Sequence, residues 1–132
     1  MRFGRDRRVR RRADFVRVQK TGRAVRTRNF VLLVARREEA GPSRLGIVAS
    51  RTTGNAVVRN RIKRLCRESF RLSPELLPAG IDLVVIAKPG AAKLGLREVQ
   101  AEWTGATARL RAECDALRDP QRGKKVLQAE PE

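Results

Sequence analysis

A mixed α/β fold is predicted by the sequence, on three observations. Three apolar runs rich in β-branched residues, NFVLLVAR at 29–36, RLGIVAS at 44–50 and IDLVVIAK at 81–88, are each bounded by turn residues and read as strands. Segments with helical periodicity lie before, between and after them. The chain has 132 residues, 41% of them hydrophobic, which is one domain's worth with a modest core.

Taken in order, residues 1–12, MRFGRDRRVRRR, form a basic arm that is expected to be flexible, because like charges repel and nothing there is expected to pack. From 13 to 20, Phe15, Val16 and Val18 share one side of a short helix that Thr21-Gly22 stops. The first two strands are separated by REEAGPS, a loop with Gly41-Pro42, and are expected to pair antiparallel. Asn55 is an N-cap for a helix over 56–71, and Ser73-Pro74-Glu75 could add a turn before Pro78 and Gly80. Leu96, Val99, Trp103, Ala106, Leu110 and Leu117 predict one amphipathic helix ending near Asp119-Pro120. The expected organisation is therefore an arm at 1–12, a single domain at 13–118 and a disordered tail at 119–132.

The net charge is +17, and all of it lies in the first half. Residues 1–71 hold 22 of the 31 Lys and Arg but 5 of the 14 Asp and Glu, whereas residues 72–132 hold 9 of each. So uneven a field, with a pI near 11.7, points to a polyanion and first to nucleic acid. No run approaches the length of a membrane-spanning helix, and the basic N-terminus lacks the apolar core of a signal peptide. Cys66 and Cys114 are too few for a disulfide framework and have no second pair for zinc, so a reducing cytoplasm is the simplest compartment.

The charge peaks in GNAVVRNRIKRLCRESFR, residues 54–71. On a helical wheel Val58, Ile62, Leu65, Cys66 and Ser69 fall on one face that can dock on a sheet. Arg59, Lys63 and Arg67 make one row on its flank, and Asn60, Arg64 and Arg71 a second. Like charges four residues apart destabilise a helix by a few tenths of a kcal/mol per pair, and Glu68 relieves only part of that through Arg64 and Arg71. A solvated face usually mixes both signs; this one does not. Arginine forks suit phosphate oxygens, and Asn can address a base edge or sugar hydroxyl, so two adjacent rows fit a nucleic-acid backbone.

The same run, with VVRNRIKRLCRESFR inside it, resembles the arginine-rich RNR signature of the bacterial ribonuclease P protein subunit. RRADFVRVQKTGR lies before it, RLGIVASRTTG immediately ahead of it and LPAGIDLVVIAKPGAAKL after it, so the resemblance covers roughly residues 8–118. It implies an α/β (α+β) sandwich like the second domain of ribosomal protein S5, with a mixed central sheet and the RNR helix in a left-handed βαβ crossover. It also implies a subunit that assists a catalytic RNA in removing 5′ leaders from precursor tRNA. Partners would be ribonuclease P RNA and precursor tRNA, with no obligate protein partner, and Mg2+ would be held mainly by the RNA.

On that resemblance Arg59, Asn60, Arg61, Lys63, Arg64 and Arg67 match the positions that meet the catalytic RNA. A cleft between the first helix and the sheet would hold the single-stranded leader, with Phe15 matching its aromatic, Val18 and Leu33 nearby, and Arg51 after the strand. Gln19 and Leu33 stand where many relatives have aromatics, and Thr52 where a second Lys is common, so shape and charge should outweigh base stacking. For Phe15 a second reading stays open: a core residue anchoring the short helix.

The residue inventory does not favour chemistry by the protein. There is no His and no Tyr, the carboxylates of the basic half form no cluster at motif spacing, and Asp82 is single on its strand. Cys66 sits on the apolar face and reads as a structural thiol. Phosphodiester hydrolysis is thus expected of the RNA, and no metal site is expected in the protein. A small ribosomal-type RNA-binding protein and an autonomous nuclease are the alternative classes.

Overall fold

The computed structural model describes residues 7–118. In chain order these form helix α1 (Arg12–Thr21), strands β1 (Arg23–Arg26), β2 (Phe30–Arg36) and β3 (Arg44–Val48), helix α2 (Ala56–Arg71), strand β4 (Ile81–Ala87), a 3-10 helix at Pro89–Lys93, and helices α3 (Leu96–Gly105) and α4 (Thr107–Arg118). The four strands make one mixed sheet in the order β1-β2-β4-β3. The predicted α/β class with a mixed central sheet is what is found.

The pairing of the first two predicted strands differs from expectation. β2 and β3 are not neighbours; β4 lies between them, antiparallel to β2 and parallel to β3. IDLVVIA is buried at six of its seven positions, the mark of a strand covered on both faces, and such a strand belongs in the centre of a sheet. The seven-residue loop between β2 and β3 then steps across one strand instead of closing a hairpin. The hairpin partner of β2 is β1, RAVR, which has too short an apolar pattern to be read as a strand.

Alternation along the strands sorts the core into two unequal halves. Phe30, Leu32 and Val34 of β2 and Ile81, Leu83 and Val85 of β4 face the larger half, under α2, α3 and α4, where Ile62, Cys66, Phe70, Trp103 and Leu110 pack. Trp103 meets Phe30 edge to face, with centroids 5.8 Å apart. On the opposite face α1 covers a smaller cluster, Val18 on Leu33, Ala35 and Val84. The predicted single C-terminal helix is two, broken after Gly105, and Ala106, which links them, is fully buried. A glycine weakens a helix interior, and the break lets Trp103, Leu110 and Cys114 all reach the core.

Part of the basic arm is packed, contrary to expectation. Arg8 bridges to Leu45 on the outer edge of β3, the Val9 N–H donates to the Leu45 carbonyl at 2.9 Å, and the Val9 side chain is buried. The Arg7 guanidinium lies 5.4 Å above the Phe70 ring of α2, and its Nε donates to the Ser43 carbonyl at 2.7 Å. One valine and the stem of an arginine are enough to seat the segment. The remaining expectations for the arm, and those for residues 119–132, fall outside the described residues.

Candidate nucleic-acid interface

Helix α2 begins where its sequence says it should. The Asn55 side chain accepts from the Val58 N–H at 3.0 Å, and Ile62, Cys66, Ser69 and Phe70 are buried against the sheet. Cys66 is completely buried, and burial pushes its thiol up to about 12, which excludes the thiolate chemistry of a nucleophile.

The polar side of α2 divides by what each donor already holds. Asn60 and Arg64 are exposed, and Lys63, Arg64 and Arg67 make no hydrogen bond or ion pair with the described residues. Arg59 donates to the Gly54 carbonyl at 3.1 Å. Arg71 is paired with Glu68 through Nε at 3.0 Å, so Glu68 relieves Arg71 and not Arg64, and this hydrogen bond holds the Glu68 carboxyl below its usual range.

Arg61 is set apart from the other five RNR positions. Its guanidinium turns to the far side of the helix and donates to the carbonyls of Leu94 at 2.7 Å and Ala92 at 3.3 Å. It clamps the end of the 3-10 helix to α2.

Beside the free donors lies a groove of about 210 Å3, walled by Lys63 and Arg67 of α2, Arg8 and Arg10 of the arm, and Phe15 and Gly46. Arg67 is partly buried; desolvation lowers its pKa and the facing charge of Arg8 lowers it further. Cations from two elements thus face one another across a gap with an aromatic wall.

The sheet face beneath α1 is a set of three rows given by strand register. Ala35, Asp82 and Arg44 form the first row, Leu33, Val84 and Gly46 the second, and Val31, Ile86 and Val48 the third. Helix α1 covers the first two. Val18 has no exposed surface and Leu33 is 9% exposed, so these two candidates form the seat of α1 and present almost nothing to a ligand. The third row is only partly buried, and it and Phe15 pack against the same buried cluster. Arg26 of β1, opposite Val31, is exposed at one end of that row, and Arg51 is exposed on the turn after β3.

The part of this face that α1 leaves partly open is therefore Val31, Ile86 and Val48, none of which the sequence reading singled out. Period-two alternation of the three strands carried that signal, but only once the strand order was known. Phe15 is half-buried, packed against the small cluster and lining the groove, so it serves both as anchor of α1 and as accessible surface.

Comparison with known proteins gives one consistent result. The sequence model of the family Ribonuclease P matches residues 3–111. The chain is a member of the ribonuclease P protein family. It is 39% identical over 100 residues to the ribonuclease P protein component of Desulforapulum autotrophicum, covering 76% of this chain and 85% of that one. It is 44% identical over 98 residues to the corresponding component of Desulfovibrio desulfuricans, covering 72% and 75%. Among solved structures, the RNase P protein of Staphylococcus aureus superposes with a TM-score of 0.70 at 33% identity, over 81% of this chain and 96% of that one. That of Thermotoga maritima gives 0.68 at 33% identity, over 77% and 96%.

Within this family frame the departures noted in the sequence can be placed. Gln19 and Thr52 are exposed, whereas Leu33 lies under α1. Among the described residues no group of three or more His, Cys, Asp or Glu side chains could hold a metal ion, and no helix is long and apolar enough to cross a membrane.

Proposed function

We propose that this chain is the protein subunit of ribonuclease P: it binds the catalytic RNA through α2 and the 5′ leader of precursor tRNA across the open end of the α1 face. The reading is carried by the one-signed donors Lys63, Arg64 and Arg67, which have no partner among the described residues and stand beside the groove that reaches Phe15. With Arg59 and Asn60 they meet the RNA; Arg61 supports them from behind.

The leader runs over Val31, Ile86 and Val48, flanked by Phe15, with Arg26 and Arg51 taking its phosphates. Arg67 and Lys63 reach the same groove as Phe15, so one short segment of protein addresses both RNAs and screens the repulsion between them. Hydrolysis is left to the RNA, where bound magnesium ions would supply the metal-ion chemistry. The protein contributes position and charge, in the cytoplasm where precursor tRNA is made.

The test is reconstitution at low magnesium with precursor tRNA and the organism's ribonuclease P RNA. Cleavage that needs both protein and RNA is the expected outcome. Cleavage by the protein alone would establish an autonomous nuclease, and binding without any effect on cleavage would favour a ribosomal-type protein.

A further inference from the structure

Asp82 is fully buried on the central strand, yet its carboxylate takes three guanidinium hydrogen bonds. Arg44 Nε donates to Oδ1 at 2.7 Å, and Arg44 Nη2 and Arg17 Nη2 donate to Oδ2 at 2.7 and 2.6 Å. Asp14 adds a second carboxylate, 3.4 Å from Arg17 and 3.7 Å from Arg44. Two positive and two negative charges thus meet in one network, and the hydrogen bond that Arg44 donates to Asp82 raises the Arg44 pKa.

Such a network is weak ground for a stability argument, because desolvation offsets the attraction. Its effect is on geometry. Arg17 belongs to α1, Arg44 to β3 and Asp82 to β4, so one carboxylate pins a helix to two strands. The apolar seat of α1 is small, with Val18 as its fully buried contact, and a smooth patch of that size does little to prevent sliding or rotation. Forked donors on a fixed carboxylate do prevent it. Phe15 lies two residues before Arg17 on the helix, and Gly46, on which its ring rests, two residues after Arg44 on the strand.

We infer that Asp82, which is too deep to touch RNA, is a positioning residue for leader binding: through Arg17 and Arg44 it sets α1, and with it the Phe15 ring, against the open row Val31, Ile86 and Val48. This rests on the leader reading above.

The experiment uses holoenzyme reconstituted with ribonuclease P RNA. The ratio of affinities for precursor and mature tRNA gives the contribution of the leader; affinity of the protein for the catalytic RNA and the separate kcat and KM values are measured alongside. Asp82→Asn is expected to lower that ratio about five- to tenfold and to raise KM, with kcat and affinity for the catalytic RNA within about twofold of wild type. Phe15→Ala should lower the ratio as well.

A ratio lowered by Phe15→Ala but not by Asp82→Asn overturns the positioning role. A ratio lowered by neither overturns the leader reading itself. Loss with Asp82→Asn alone overturns the route through the ring. Parallel loss of leader and catalytic-RNA affinity with melting temperature reduces Asp82 to a structural residue. Should Asp82→Asn fail to fold, Arg44→Lys keeps the charge, loses the fork and is read by the same outcomes.

Discussion

The ring of Phe15 occupies the space that a side chain on Gly46 would need. A Cβ at position 46 would stand 2.7 Å from Cε1 and 2.8 Å from Cζ of Phe15, and 3.0 Å from Cβ of Val9. A glycine inside a strand weakens it, but here its bare backbone receives both the helix and the arm. Gly46→Ala is therefore expected to destabilise the protein by about 1–3 kcal/mol, as overpacking does, and to weaken binding of leader-bearing tRNA. Urea denaturation checks the first and filter binding the second; a variant as stable as wild type would mean that the ring is free to move aside.

The six RNR donors should separate into two classes. Arg64→Ala and Arg67→Ala are expected to leave the melting temperature nearly unchanged and to lower the slope of log affinity against log salt by roughly 0.7–0.9 each. Arg61→Ala removes two hydrogen bonds from a charged group to backbone carbonyls and should cost about 1.5–3 kcal/mol of stability, with an unchanged salt slope. Salt titrations of the three variants decide this. A slope change for Arg61→Ala equal to that of Arg67→Ala would place its guanidinium on RNA.

Alkaline pH should unfold the protein through Cys66. Its folded value, near 12, lies above the ordinary thiol value of 9.0, because burial favours the neutral thiol. The associated stability is complete below the unfolded value and is lost as pH rises through the folded one, on the order of a few kcal/mol across the window. Denaturation midpoints measured from pH 8 upward should fall for the wild type and fall less for Cys66→Ala. A thiol reagent at pH 8 should label Cys66 only in denaturant.

Glu102 governs the β1–β2 turn from a distance in sequence. Its carboxylate accepts from the Asn29 N–H at 2.7 Å, from Asn29 Nδ2 at 2.8 Å and from the Thr27 hydroxyl. Glu102→Ala leaves those donors unpaired and is expected to cost about 1–3 kcal/mol, with faster amide exchange confined to residues 24–30. Uniform loss of protection across the sheet would contradict a local role.

The readings that succeeded from sequence were the local ones. Asn55 to Arg71 could be bounded because cap, periodicity and charge rows all lie within eighteen residues, and the three strands showed as apolar runs. Strand order was not legible, because pairing of Gly46 with Val84 or of Val31 with Ile86 is a contact between distant segments. The partly open row Val31, Ile86 and Val48 was hidden for the same reason, whereas Val18 and Leu33 lie buried beneath α1. Asp82 looked like a lone carboxylate because its partners stand 38 and 65 positions away. Val9, one apolar residue among arginines, gave no pattern at all.

The sheet ends on each side at an edge where a further strand could add. One edge is β1, four residues long and carrying the exposed Arg26; the other is β3, partly covered by Arg8 and Val9. Short edge strands rich in positive charge resist pairing with a second copy of themselves. The same exposed Arg26 that would attract a polyanion therefore also discourages edge-to-edge aggregation during folding, and neutralising it in search of tighter folding would expose the protein to its own kind.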